Sequence, residues 1–281
     1  MNETNQQESF DIIIEPGRSF RNYWRDLWKY RELFFFLAWR DILVRYKQTI
    51  IGIAWAVLRP VLTMLVFTVV FGRLAKLPPE GGAPYAVMVF AALLPWQLFA
   101  NALTETSNSL IANAGMISKV YFPRLIIPAS AVIVGLVDFA ISFGILGVIM
   151  VWFQFVPSVR ILMLPLFLLV ALMAAMGAGF WLAALNVKYR DFRYVVPFMV
   201  HFGLYISPVG FSSTIVPEKW RFFYSINPMV GVIDGFRWAI LGEGVDLYWP
   251  GFLLSFGLTL VLFVLGLHYF RTTERGFADV I

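Results

Sequence analysis

Six apolar runs divide this chain, at residues 50–71, 85–103, 125–153, 161–185, 194–211 and 249–270, each 18 to 29 residues long. At 1.5 Å of helical rise per residue, that reaches or nearly reaches across a hydrocarbon core about 30 Å thick. Backbone N–H and C=O groups find no partner in lipid, so each run is expected to be a helix that satisfies them internally. Pro60, Pro95, Pro128, Pro165, Pro197 and Pro208 are expected to kink these helices. The fold class read from this pattern is an all-α integral membrane protein with six transmembrane helices.

Composition points the same way. Hydrophobic residues make up 60% of the chain and charged residues 14%, against about 25% charged in soluble domains, and mean hydropathy is +0.76. Six spans and their loops use nearly all 281 residues. Three regions are therefore expected: a cytosolic N-terminus over 1–49, a transmembrane domain over 50–270 and a cytosolic tail over 271–281. The absence of cysteine excludes disulfide and thiol chemistry. The opening MNETNQQESFDIIIEP is polar and acidic, so no cleavable leader is expected.

Lys and Arg placement sets the orientation. With the N-terminus inside, the inner segments hold fifteen basic residues and the outer ones six, with Arg59 inside the first run. That bias predicts both termini in the cytosol. The pI near 9.5 then reflects inner loops facing anionic lipid; no soluble basic face suggests nucleic acid as a partner.

Three stretches outside these runs have a definite character. Residues 18–32 (RSFRNYWRDLWKYRE) put Phe20, Tyr23, Trp24, Leu27 and Trp28 on one helical face and Arg21, Arg25 and Lys29 on another, as in an interfacial amphipathic helix. Residues 104–124 are too polar to span, with a helix-compatible stretch around Asn108 to Ile117 that Pro123 ends, and they lie on the cytosolic side. Between the fifth and sixth runs, residues 229–241 are apolar but only 13 long and carry Asp234 and Arg237, so short re-entrant or interfacial outer helices are expected.

Catalytic chemistry finds little foothold. Asp138 and His201 lie in different runs, His268 lies far from His201, and no cluster of metal ligands or nucleophile with its base appears, so neither a metal site nor a catalytic residue is expected. A proton-coupled secondary transporter needs paired intramembrane acids or a His relay, which one Asp and one His do not supply. A membrane enzyme needs a cluster at one face, and RDF at residues 190–192 is too thin for one. No phosphate-binding G-x-x-x-x-G-K-[ST] loop occurs, so ATP hydrolysis, where used, is expected from a partner.

Four blocks carry a family resemblance: RDILVRYKQTIIGIAWAVLRP at residues 40–60, KVYFPRLIIP at 119–128, NVKYRDFRYVVPFMVHFGLYISPVGF at 186–211 and INPMVGVIDGFRWAILG at 226–242. The chain resembles the ABC-2 type permeases that export polysaccharides such as O-antigen, capsule and teichoic acid. The resemblance implies a multi-pass bacterial inner-membrane protein acting as a homodimer, with two separate ABC ATPase subunits. ATP and Mg are then bound by those subunits, and this chain carries no cofactor of its own. It also implies an undecaprenyl-linked polysaccharide as substrate; a drug or small-lipid exporter of the same superfamily is the alternative.

The same resemblance suggests where to look for function. The ATPase-coupling element maps to Asn108, Ala112, Asn113, Met116 and Lys119, and the outer gate to Pro228, Asp234 and Arg237. The family lines its channel with the first and fifth spans, which makes Tyr46, Trp55, Phe67, Tyr205 and Phe211 the substrate-channel candidates. An aromatic ring offers sugar C–H groups an apolar face, and a Tyr hydroxyl can hydrogen-bond to sugar hydroxyls. Arg59, before Pro60, stands where the family pattern leads one to expect a smaller polar residue.

Overall fold

A computed structural model of the chain describes residues 20–47, 50–189 and 191–277. Among the described residues the elements are helices and turns, with no strand. The first two, α1 (Phe20–Lys29) and α2 (Arg31–Tyr46), meet at Tyr30, whose φ of −92° and ψ of 19° break the helical line. The predicted interfacial helix is thus longer than its amphipathic signal and bent. Tyr23 and Leu27 pack inward, whereas Trp28 is 73% exposed, so the expected single apolar face is divided between core and surroundings. The predicted residues 1–19, and with them the start of that helix, lie outside the described residues, as do Gln48, Thr49, Arg190 and residues 278–281.

The spans follow. Helix α3 (Ile50–Phe67) continues into a π-turn, Thr68–Leu74, and ends near Lys76, which takes a positive φ of 52°. Helix α4 (Tyr85–Ala112) runs unbroken to the four-residue α5 (Ala114–Ile117). Helix α6 is Ile126–Trp152, and a 3₁₀ turn, Val159–Met163, leads into α7 (Leu164–Lys188). Then come α8 (Phe192–Ile206), α9 (Glu218–Tyr224), α10 (Pro228–Leu241) and α11 (Trp249–Thr273).

Among the described residues, five segments are long and apolar enough to cross a membrane: Ala54–Leu74, Tyr85–Ala112, Ile126–Trp152, Val159–Lys188 and Trp249–Thr273. The fifth expected span is shorter than its apolar run. Its helix, α8, holds 15 residues, or about 22 Å at 1.5 Å each, because the chain turns at Ser207 and Pro208. Pro208 therefore kinks nothing, and Pro128 and Pro165 sit in the first turns of α6 and α7, where the missing N–H has no intrahelical partner to lose. Pro60, Pro95 and Pro197 do lie inside helices.

Helix α4 is the axis of the bundle. Its apolar window is 83% buried, against 17% for the first span and 28% for those of α6 and α11. It packs against α6, α7 and α10, and Val87 through Leu94 are sealed from solvent. Backbones approach most closely between α7 and α11: a Cβ at Gly266 would lie 2.1 Å from the Gly177 carbonyl oxygen, so only glycine fits this crossing. Helices α3 and α8, packed on one side only, keep broad apolar faces open, among them Leu62, Leu65, Phe198 and Phe202.

Candidate functional site

At the end of the bundle remote from α1, Arg237 is completely buried. Its Nη1 donates to the Phe211 carbonyl at 2.8 Å and Nη2 to the Val209 carbonyl at 2.9 Å, and Glu80 Oε2 lies 4.0 Å from Nη1. Ser212 Oγ donates to the other Glu80 oxygen. One guanidinium thus ties α10 to the turn after α8 and to the loop before α4. Pro228, at the first position of α10, has no N–H to leave unpaired there, and Asn227 caps the helix by accepting from Met229 N at 3.0 Å. Asp234 is partly buried one turn before Arg237. Burial pushes its carboxyl from an ordinary 3.8 up to about 6, against the hydrogen bond from Ser213 and the charge of Arg237.

A second polar hub joins α2 to the spans. Asp138 of α6 accepts from Tyr46 Oη, receives Asn101 Nδ2 at 3.1 Å and pairs with Arg45 Nη2 at 2.7 Å. Arg45 also reaches Glu105 at 3.3 Å. An intramembrane carboxylate is costly unless neutralised, and here Arg45 supplies the counter-charge while Tyr46 and Asn101 donate to the carboxylate. Burial and then Asp138 raise the Tyr46 hydroxyl above its ordinary value, keeping it a donor.

The coupling candidates gather at the polar end of α4. Asn108 and Ala112 belong to that continuous helix, which corrects the expectation of a separate helix in a connecting loop: α4 simply outlasts its apolar residues. Its polar turns are held by α7, where Asn186 Nδ2 donates to Ser107 O at 3.1 Å and to Asn108 Oδ1 at 3.2 Å. Asn113 accepts from Arg40 Nη2 at 2.9 Å, fastening α2 to the α4–α5 junction. Met116 packs into the adjoining apolar cluster, while Ala112 and Lys119 are exposed.

The aromatic candidates separate into two groups. Phe67, Phe71, Tyr205 and Phe211 form a chain, with ring centroids 5.3 Å apart for Phe67 and Phe71, 6.0 Å for Phe67 and Tyr205, and 6.5 Å for Phe71 and Phe211. Tyr205 is 63% exposed at the open face of α8, whereas Phe67 is 5% exposed and is part of the core. Tyr46 and Trp55 lie apart from this chain: the first joins the Asp138 hub and the second, 57% exposed, borders a cleft beside it.

Several residues that hold these sites together carried no sequence signal. Glu80, Asn101 and Asn186 are single polar residues whose partners lie far along the chain, although a buried arginine such as Arg237 calls for a carboxylate partner in any case. Tyr23 donates to Glu274 Oε2 at 3.0 Å, and Arg124 donates to the Glu274 carbonyl, so the end of α11 is knotted to α1 and to the segment before α6. His201 bonds the Pro197 carbonyl of its own helix at 2.8 Å. No group of three His, Cys, Asp or Glu residues that could hold a metal occurs among the described residues.

An O-antigen export system permease protein of Klebsiella pneumoniae is 27% identical over 86% of this chain and 92% of its own length. The corresponding protein of Myxococcus xanthus is 27% identical over 76% of the chain and 82% of its own. A polysialic acid transport protein of Escherichia coli is 25% identical over 84% and 92%. Residues 32–241 match the ABC-2 type transporter family, from the start of α2 to the end of α10, and the chain belongs to that family.

Proposed function

We propose that this chain is the membrane-spanning permease subunit of an ATP-driven exporter that carries a lipid-linked polysaccharide from the cytosol across the bacterial inner membrane. The observation that carries this reading is family membership together with relatives, named for O-antigen and polysialic acid transport, that align over nearly their whole lengths. In this reading α8 and the turn after it form the fifth of six spans, both termini are cytosolic, and α9 and α10 cap the outer end. Two copies of the chain enclose the pathway between the open faces of α3 and α8. Two ABC ATPase subunits bind and hydrolyse ATP, with Mg, against the exposed tip formed by the end of α4, α5 and Lys119.

The chemistry left to this chain is mechanical. A polar glycan slides along aromatic side chains without tight binding, and nucleotide-driven movement of the tip passes into the bundle through α4, its best-packed helix. The Arg40–Asn113 bond and the Asp138 hub carry the same movement to α2 and α6.

The test is purification of the full chain from its own cells in mild detergent. An ABC ATPase subunit should accompany it one to one, and depletion of the chain should leave a lipid-linked glycan on the cytosolic face. Depletion that leaves surface glycan intact while the cells lose resistance to a drug would instead support the small-molecule exporter.

A further inference from the structure

A cleft of about 300 Å³ opens between α3, α4 and α6, beside the Asp138 hub, and is lined by Arg45, Trp55, Arg59, Gln97, Asn101 and Asp138 among others. Two cations and one carboxylate face it, but they are not equivalent. Asp138 is already compensated by Arg45 at 2.7 Å, and Arg45 is further engaged by Glu105 at 3.3 Å. The Arg59 guanidinium has no hydrogen-bond or ion-pair partner among the described residues, the Thr63 hydroxyl donating to the Arg59 backbone carbonyl instead. The Gln97 side chain likewise makes no hydrogen bond with them, and Asn101 commits one of its two amide N–H donors, to Asp138. A positive guanidinium and unused amide groups therefore converge on one polar recess in an otherwise apolar helical surface.

Depth and direction define what belongs there. Arg59 lies five residues into the apolar segment Ala54–Leu74, or about 7.5 Å of helix from its α2 end. An arginine at that depth keeps its head at the polar boundary of the bilayer, where lipid phosphates lie. Guanidinium binds phosphate oxygens through paired N–H donors, and amide N–H groups complete such a site. On α3 the cleft is lined by Trp55, Ala56, Arg59 and Pro60, whereas the Phe67–Tyr205 contact lies seven residues, about 10 Å of helix, beyond Pro60. It is therefore separate from the aromatic face proposed as the pathway.

We infer that this cleft binds the phosphate group of a membrane lipid, with Arg59 as its charged ligand and Gln97 and Asn101 as polar ones. The leaflet, cytosolic if both termini are inside, rests on the proposed orientation; the binding does not. The phosphate has two possible sources, a bulk anionic phospholipid or the polyprenyl phosphate that bears a glycan.

The test uses the full chain, delipidated and titrated with phosphatidylglycerol, phosphatidylcholine or polyprenyl phosphate, with bound lipid counted by native mass spectrometry. Wild-type protein should prefer phosphatidylglycerol to phosphatidylcholine by about fivefold, the effect of one basic side chain near an anionic lipid. Arg59→Gln should abolish the preference, Gln97→Leu should reduce it, and Arg73→Gln, beyond the cleft on the same span, should leave it intact. Stronger binding of polyprenyl phosphate than of phosphatidylglycerol assigns the site to the glycan carrier; equal binding assigns it to bulk lipid. An unchanged preference in both Arg59→Gln and Gln97→Leu overturns the inference. Export is not measured, so this outcome and the failure of the exporter reading are separate results.

Discussion

Arg237 and Glu80 face each other at 4.0 Å across the end of the bundle remote from α1, and the arginine spends its closer bonds on the carbonyls of Val209 and Phe211. The geometry is that of a staple whose strongest attachment is to backbone rather than to the carboxylate. Arg237→Met leaves two buried carbonyls without their donor and Glu80 without its counter-charge, and should cost about 3–5 kcal/mol, read as lost thermal stability. Glu80→Gln should cost less, since the carbonyl bonds remain. The double swap Glu80→Arg with Arg237→Glu should not restore stability, because a carboxylate cannot donate to carbonyls. Full rescue by that swap would mean that the ion pair alone matters.

Acid should tighten the same region. The folded-state pKa of Asp234, about 6, lies above its ordinary 3.8, so the folded protein holds that proton more firmly than the unfolded chain does. Stability contributed by this group is complete below pH 4 and is lost as pH rises through 6. The groups facing it are Ser213, Arg237, Glu80, Arg221 and Tyr224. Unfolding of the detergent-solubilised protein should therefore need more heat at pH 5 than at pH 7, an effect of roughly 1 kcal/mol over that window. Asp234→Asn should flatten this part of the profile, and an unaltered slope in that variant would remove Asp234 as its source.

How much of this was legible in the sequence depends on the range of the interaction. Helices α3, α6 and α11 announce themselves because lipid imposes a local rule, apolar residues for about twenty positions, that a window can read. Helix α4 exceeds its apolar run because its last turns are polar yet buried, held by Asn186 from α7, and no local pattern encodes a partner 78 or 79 residues away. The break at Tyr30 and the stop at Ser207 escaped for a similar reason: neither is forced by a glycine, and the proline that follows Ser207 lies inside an apolar run. The acidic partner of Arg237 was invisible because a lone Glu80 in a Gly-Pro-rich loop looks like any solvated charge. Asp138 and His201 were readable as satisfied polar groups, since an unsatisfied one is too costly in a membrane.

Sidedness is testable with single cysteines in this cysteine-free chain. Cysteine at Gly82 or Glu243 should react with an impermeant maleimide in intact cells, and cysteine at Asp191 or Glu274 only after lysis. Labelling of Asp191→Cys from outside would reverse the orientation and the charge count behind it.

Coupling should be lost at the tip of α4. Ala112→Pro removes the last intrahelical hydrogen bond of α4, and Lys119→Glu reverses an exposed charge; neither side chain is buried. Both should lower export at least tenfold at unchanged protein level, with ATP hydrolysis by the partner continuing uncoupled. Normal export in both variants would take this tip out of the mechanism.

Along the aromatic face, packing and substrate contact separate by exposure. Tyr205 is 63% exposed and Trp55 57%, so truncation to Ala removes little internal packing and should leave the amount of membrane-inserted protein unchanged. Phe67, 5% exposed and wedged between Phe71 and Tyr205, is the contrasting case. Phe67→Ala should behave as a core truncation, costing about 3–5 kcal/mol and appearing as lost protein. Export per molecule, measured at matched expression, then isolates the sliding surface: Tyr205→Ala should slow export or loosen substrate choice, and Leu260→Ala, on an exposed face of α11, should be silent. Trp55 borders the Arg59 cleft instead of the Phe67–Tyr205 chain, so Trp55→Ala tests whether that side of α3 also meets the glycan. A defect in Tyr205→Ala alone confines the pathway to the α8 flank; normal export per molecule in both variants excludes both rings as the sugar-contacting surface.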